Sequence, residues 1–139
     1  MSLIGLYIVW NNRDYPMASL QGLAYSSYLQ QGDLSSDKTK SLLQEIYFQI
    51  NNITTADRLF VINKNCIVID NIAQPRQKTF VGNNVSSINW VREVTITHTP
   101  IFSNGYAALD GKHIWIALSY PIINRETKQY MGIIGASVF

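Results

Sequence analysis

The hydrophobic period changes once along this chain, near Arg58, and that change constrains the fold more than any other feature. Before it, apolar residues recur every three or four positions. Met17, Leu20, Ala24 and Tyr28 share one helical face, with Asp14 placed to cap the helix, Pro16 in its first turn and Gly32 as its stop. Ser36 and Asp37 then open a second helix whose stripe is Leu42, Leu43, Ile46, Tyr47, Ile50 and Ile53. Both helices are apolar on one side only, so each must pack on something.

After Arg58 the runs are short, β-branched and alternating. Leu59 to Ile62 and Cys66 to Ile69, joined by Asn63, Lys64 and Asn65, predict a hairpin. Residues 71–84 read as irregular, with Pro75 and Gly82, and Ser86 or Ser87 is placed to cap a short helix through Val94. Pro100 to Leu109, the Asp110-Gly111 turn, Lys112 to Ile123, the polar turn Asn124 to Lys128 and Gln129 to Phe139 predict a three-strand meander. Helices (1–55) ahead of a sheet (56–139) that carries an insertion (71–99) predict one α+β domain, an antiparallel sheet with the helices on one face.

Charge excludes several functions. Only 14% of the 139 residues are charged, the net charge is +2, and no run of Lys or Arg supplies the focused field that nucleic acid requires. The lone Cys66 excludes an internal disulfide and a cysteine-based zinc site. His98 and His113 are not spaced as metal ligands, no phosphate loop is followed by a lysine, and the terminal Gly-Ala-Ser-Val-Phe is not a nucleophile elbow. No catalytic residue, metal or cofactor is expected. Amide and hydroxyl side chains replace the missing charges, which fits an extracytoplasmic surface, as do the acceptor patterns Asn52-Ile53-Thr54 and Asn84-Val85-Ser86. The apolar run Leu3 to Trp10 is too short to span a bilayer, where about 20 residues are needed. It reads either as a buried segment or as the outer end of a membrane helix.

Strand 112–123 has two unlike faces. Ile114, Ile116, Leu118, Tyr120 and Ile122 alternate onto one, which is expected to meet the helices. The other carries His113, Trp115, Ala117, Ser119 and Pro121, a large aromatic among small and hydrogen-bonding residues. That composition suits either a sheet face covered by the insertion or the floor of a small-ligand pocket whose lid is the insertion.

One ordered set of pieces then carries a family resemblance. Leu59-Phe60-Val61-Ile62 and Ile67-Val68-Ile69 precede Val81-Gly82 and Ser87-Ile88-Asn89-Trp90-Val91. Pro100-Ile101-Phe102-Ser103-Asn104-Gly105-Tyr106, Asp110-Gly111, Ser119-Tyr120-Pro121-Ile122 and Tyr130-Met131-Gly132-Ile133-Ile134-Gly135 follow. The succession, over about residues 40–139, resembles the Cache family, the extracytoplasmic PAS-like sensor domains of histidine kinases and chemoreceptors. The resemblance implies a five-stranded antiparallel sheet, N-terminal helices leaving a membrane segment, and a single module. It also implies a pocket for an amino acid or small carboxylate on the sheet face away from the helices. Two departures stand out: Asn63-Lys64-Asn65-Cys66 replaces the usual Asp-x-x-Gly turn, and Trp90-Val91-Arg92 reverses the order of the amino-acid-binding subgroup. Binding of an α-amino acid is therefore not carried over.

The expectation is the ligand-sensing domain of a membrane-anchored, homodimeric receptor, with a kinase or chemoreceptor output. Trp90, Arg92, Ser103, Tyr106, His113, Trp115 and Ser119 are the expected ligand-binding residues. The alternative is an interaction or dimerisation domain with no small ligand.

Overall fold

The computed structural model describes residues 16–52, 56–75, 77–103, 106–107 and 114–138, and for Tyr106, Ala107, Ile114 and Trp115 only the backbone. Among these residues four helical segments, α1 (residues 16–24), α2 (Ser27–Gln30), α3 (Asp37–Asn51) and α4 (Asn89–Thr97), accompany six strands. The strands are β1 (Ala56–Asn63), β2 (Val68–Ala73), β3 (Ile101–Phe102), β4 (Tyr106–Ala107), β5 (Ile114–Ile123) and β6 (Tyr130–Val138). They form one antiparallel sheet in the order β2-β1-β6-β5-β3, with β4 continuing along the β5 edge beyond β3. The α+β, PAS-like fold class is thus realised.

The expected first helix is two pieces. Ser26 Oγ donates to the Leu23 carbonyl at 2.6 Å and the Ser26 N–H reaches the same oxygen, so the local bonds close the helix one turn early. Gln30 then satisfies the freed Ala24 carbonyl at 2.9 Å and also donates to the Ile123 carbonyl at 2.8 Å, tying the break to the β5–β6 turn. As a result Leu23 and Leu29 are buried, beside the expected Leu20 and Ala24. Gly32 ends α2 as expected, the Gly32 and Asp33 N–H groups reaching back to the Leu29 and Tyr28 carbonyls. Asp14 and Ile53 lie outside the described residues.

Ser36 caps α3, accepting the Thr39 N–H at 3.2 Å, while Asp33 accepts from both the Ser36 N–H and its hydroxyl. Leu43, Tyr47 and Ile50 are buried from this helix, with Leu42 and Ile46 packed at the margin. They meet Leu59 and Val61 of β1, Leu118 and Ile122 of β5, and Ile134 and Ala136 of β6. Each fully buried aliphatic side chain here contributes about 1.5–3 kcal/mol of transfer free energy. The apolar row of β5 expected to face the helices does so at Ile116, Leu118, Tyr120 and Ile122.

A second cluster closes the opposite face. Phe60, Ile62, Ala117 and Ile133 from the sheet pack with Val68, Trp90, Val91 and Val94, and the insertion adds Phe80 and Val85 at its margin. The central strands β1, β6 and β5 are therefore buried on both faces. The Gly132 and Gly135 spacing follows from this crowding. Gly132 has φ +150, and a Cβ there would run into the Ile62 carbonyl. At Gly135 a Cβ would lie 2.5 Å from the Phe60 ring.

Three boundaries differ from expectation. Strand β2 runs on to Ala73, into the stretch read as irregular. Helix α4 starts from Ile88 with no side-chain cap, because Ser86 and Ser87 sit in the preceding turn, and it extends to Thr97. Cys66 is in the hairpin turn at φ 65 and half-buried, not within an apolar strand.

Candidate functional site

Antiparallel register lines residues up in rows across the sheet, and two rows on the face away from α1–α3 define the candidate site. The first row is Asn71, Phe60, Gly135, Ser119 and Ile101, read from β2 to β3. The second is Ala73, Arg58, Ser137 and Ala117, extended by Ser103, whose N–H donates to the Ala117 carbonyl at 2.9 Å. Small residues line the floor of both rows, and polar groups are set at intervals along them.

Arg58 is the strongest polar group on this face and is only 5% exposed. Its Nε donates to Asp57 Oδ2 at 2.9 Å, and its Nη1 donates to Asn71 Oδ1 at 3.1 Å and to the Lys78 carbonyl at 2.9 Å. The guanidinium lies 4.2 Å from the centre of the Phe80 ring. Asp57 occupies a bulge in β1, where the pairing with β6 slips between Ala56 and Arg58, and its other oxygen accepts from Gln77. The insertion is thus bound to the sheet through one buried ion pair. Sequence reading passed over Arg58. The available signal was a charged residue on the same alternation as Phe60 and Ile62, directly before the apolar run Leu59 to Ile62.

Trp90 comes down from α4 onto Phe60, ring centres 5.7 Å apart, and is 8% exposed. Its indole Nε1 is buried and has no hydrogen-bond partner among the described residues. A buried N–H without an acceptor costs about 1–3 kcal/mol, so this donor marks a place where an acceptor belongs.

Ser119 is fully buried and donates to the Ile101 carbonyl at 3.2 Å, while Ser103 Oγ accepts the Ala117 N–H at 2.8 Å. Both serines stitch the short edge strand β3 to β5. Trp90, Ser103 and Ser119 therefore converge on the same face. Arg92 does not: the turn that buries Trp90, Val91 and Val94 sends Arg92 and Glu93 to solvent. Tyr106 pairs with Trp115 through the backbone, and His113 lies outside the described residues. His98 ends α4 in the left-handed region and stacks on Tyr130 at 4.3 Å, and burial pushes the Tyr130 phenol up.

Asp70 does not belong to this site. It is within β2, opposite Val61, on the helix-covered face. Among the described residues no three His, Cys, Asp or Glu side chains converge to hold a metal. An open groove of about 410 Å³ lies between α2 and α3, lined by Tyr28, Asp37, Lys38, Ser41, Leu42 and Glu45. It is shallow and contains no buried polar group, so the chemistry of the sheet face outweighs its volume.

A five-position antiparallel sheet with a helical layer on one face and a lid on the other defines a PAS-like sensor domain of the Cache type. The family model for the HK/GC/Chemotaxis protein-like sensor domain matches residues 19–138, and the chain belongs to that family. Solved structures agree in fold. The ligand-binding domain of the Campylobacter jejuni chemoreceptor Tlp3, in complex with 4-methylisoleucine, superposes with TM-score 0.66 at 16% identity, over 92% of this chain and 50% of that one. The ligand-binding domain of the Pseudomonas aeruginosa amino-acid chemoreceptor PctC, in complex with GABA, gives 0.66 at 15% identity, over 97% of this chain and 60% of that one. An extracellular ligand-binding receptor from Desulfohalobium retbaense gives 0.61 at 14% identity, over 100% of this chain and 26% of that one. The chain therefore spans about a quarter to three fifths of the chains it resembles. The comparison with curated proteins gave no match.

Proposed function

We propose that this sensor domain binds a small carboxylate or amino acid between the sheet and the 71–99 insertion, as the extracytoplasmic part of a membrane-anchored, homodimeric receptor. The observation that carries the reading is the unpartnered Trp90 Nε1, buried on a side chain that packs on Phe60, in the row that also holds Asn71 and Ser119. An indole N–H and serine hydroxyls are donors that a carboxylate oxygen accepts from. The ligands of Tlp3 and PctC, 4-methylisoleucine and GABA, support the ligand class. Both ends of the domain serve transmission: β6 pairs with β1 and β5, and Gln30 ties the α1–α2 break to the turn between β5 and β6. A ligand moves that arrangement only by its difference in affinity for the two states. Among the described residues no helix is long and apolar enough to cross a membrane, so the anchor is assigned to chain outside them.

The test is a thermal-shift and calorimetric screen of amino acids, short carboxylates and amines against the wild type and Trp90→Phe. A compound that raises Tm in the wild type and binds about tenfold more weakly to Trp90→Phe supports the reading, tenfold being about 1.4 kcal/mol. Equal binding to both removes Trp90 from the site. A second reading, a domain that binds no small molecule, draws on the close packing of Phe60, Trp90, Val94 and Ile133, and a screen without a single binder selects it.

A further inference from the structure

Asp70 is a buried acid that the ligand reading does not use. Between β1 and β2 the register moves from Val61 opposite Asp70 to Ile62 opposite Val68, so Ile69 is an extra, bulged residue. Without that bulge Val68 and Asp70 would share a face. With it, Val68 joins the lid-side cluster and Asp70 turns under the helices, opposite Val61 and next to the row that holds Leu59 and Ile72. The residue is 2% exposed, and its Oδ2 has no hydrogen-bond partner among the described residues. Two charged groups of the helical layer face it: Lys40 on α3 and Asp33 in the link before α3. From β1 it meets only apolar side chains.

We propose that Asp70 makes the docking of α3 on β2 proton-dependent. The neutral carboxylic acid is tolerated between the layers, whereas the carboxylate places a charge there that only the exposed Lys40 offsets, and the seam loosens. A domain built this way reads acidity through its helical layer, on the opposite side of the sheet from the proposed ligand site, and needs no small molecule to do so.

The physical chemistry gives a definite sign. Burial is the largest influence and pushes the Asp70 carboxyl above the usual carboxylate range, with Lys40 opposing and Asp33 adding to it. The folded state then holds a proton that the unfolded chain has released. Stability is therefore full below the unfolded value of about 3.9 and is lost as pH rises through the folded value. Asp33 acts the other way: its hydrogen bonds from Ser36 hold its carboxyl below the usual range, so its contribution is lost on acidification. For that reason the informative quantity is the difference between two proteins that both contain Asp33.

The test is Tm of the 139-residue chain and of Asp70→Asn across pH, with amide exchange of α3 as a local readout. The asparagine keeps the shape and fixes the neutral state. Expected is a Tm advantage for Asp70→Asn that is near zero at about pH 4 and grows to about 4 °C or more by about pH 8. Protection of the first turns of α3 should fall with rising pH in the wild type alone. A Tm difference that is constant with pH overturns the proposal. So does an NMR titration in which the wild-type Asp70 carboxyl titrates near about 3.9, a measurement that stands even if the variant does not fold.

Discussion

The two faces of the sheet are closed by different means. On one, a fifteen-residue helix and its shorter neighbours press aliphatic side chains onto Leu59, Val61, Leu118 and Ile134. On the other, a nine-residue helix and an irregular segment cover the sheet, and the closure depends on Arg58, Asp57, Gln77 and two serines as much as on Phe60 and Trp90. Apolar burial is non-directional, so it presents no group that a polar ligand atom can match. Buried polar contacts are directional, and each can be traded for a ligand atom of the same kind. The helical side is therefore the scaffold, and the lid side carries the polar groups on which the proposed ligand binding rests.

The largest expected effect tests the lid side. Arg58→Met leaves Asp57 buried with half its partners gone and should cost about 3–5 kcal/mol in urea unfolding. Adding Asp57→Asn removes the orphaned charge and should restore most of that loss. If the double variant is as unstable as the single one, the lid face is held by geometry that this ion pair does not account for. On the helical side, Leu118→Ala should cost about 2–5 kcal/mol, and no second polar change should recover it. A recoverable loss there would erase the contrast between the faces. The smallest effect belongs to Gly135→Ala, where the new methyl meets the Phe60 ring at 2.5 Å and the Leu118 carbonyl at 3.2 Å. Overpacking of this kind costs about 1–3 kcal/mol. Because Phe60 must move against Trp90, tryptophan fluorescence should change with it. An unaltered spectrum with unaltered stability would show that the lid face has more room than the packing of Phe60 and Trp90 implies.

Much of the fold was legible because its signals are local. The Ser36 cap, the stripe of α3, the alternation of β5 and the polar turn after Ile123 each depend on residues a few positions apart, and each is found where the pattern puts it. The break at Ser26 was hidden because it depends on a side chain competing with the helix for a carbonyl, which periodicity does not register. His98 ends α4 in a conformation usually left to glycine or asparagine, and the Tyr130 ring it stacks on is thirty-two residues away.

The candidate site was half legible. Trp90, Ser103 and Ser119 stood out as residues too large, or too polar, for their surroundings, and they meet on the lid face. Arg92 stood out for its charge, but the helical phase that buries Trp90 turns it outward. Arg58 was overlooked because it stands just before the apolar run Leu59 to Ile62, where a charge normally marks the edge of a core.

By itself the order of residues determined the α+β class, the place where helices give way to strands and the two-faced character of β5, since hydrophobic periodicity and caps act over a few residues. Which side chains share a face across strands was decided only in three dimensions. Two bulges, at Asp57 and at Ile69, shift the alternation by one residue, returning Ala56 to the helix-side core and aiming Asp70 at the helices. A one-residue slip inverts the facing of everything beyond it, and it is set by pairing with a distant strand, so no local pattern announces it.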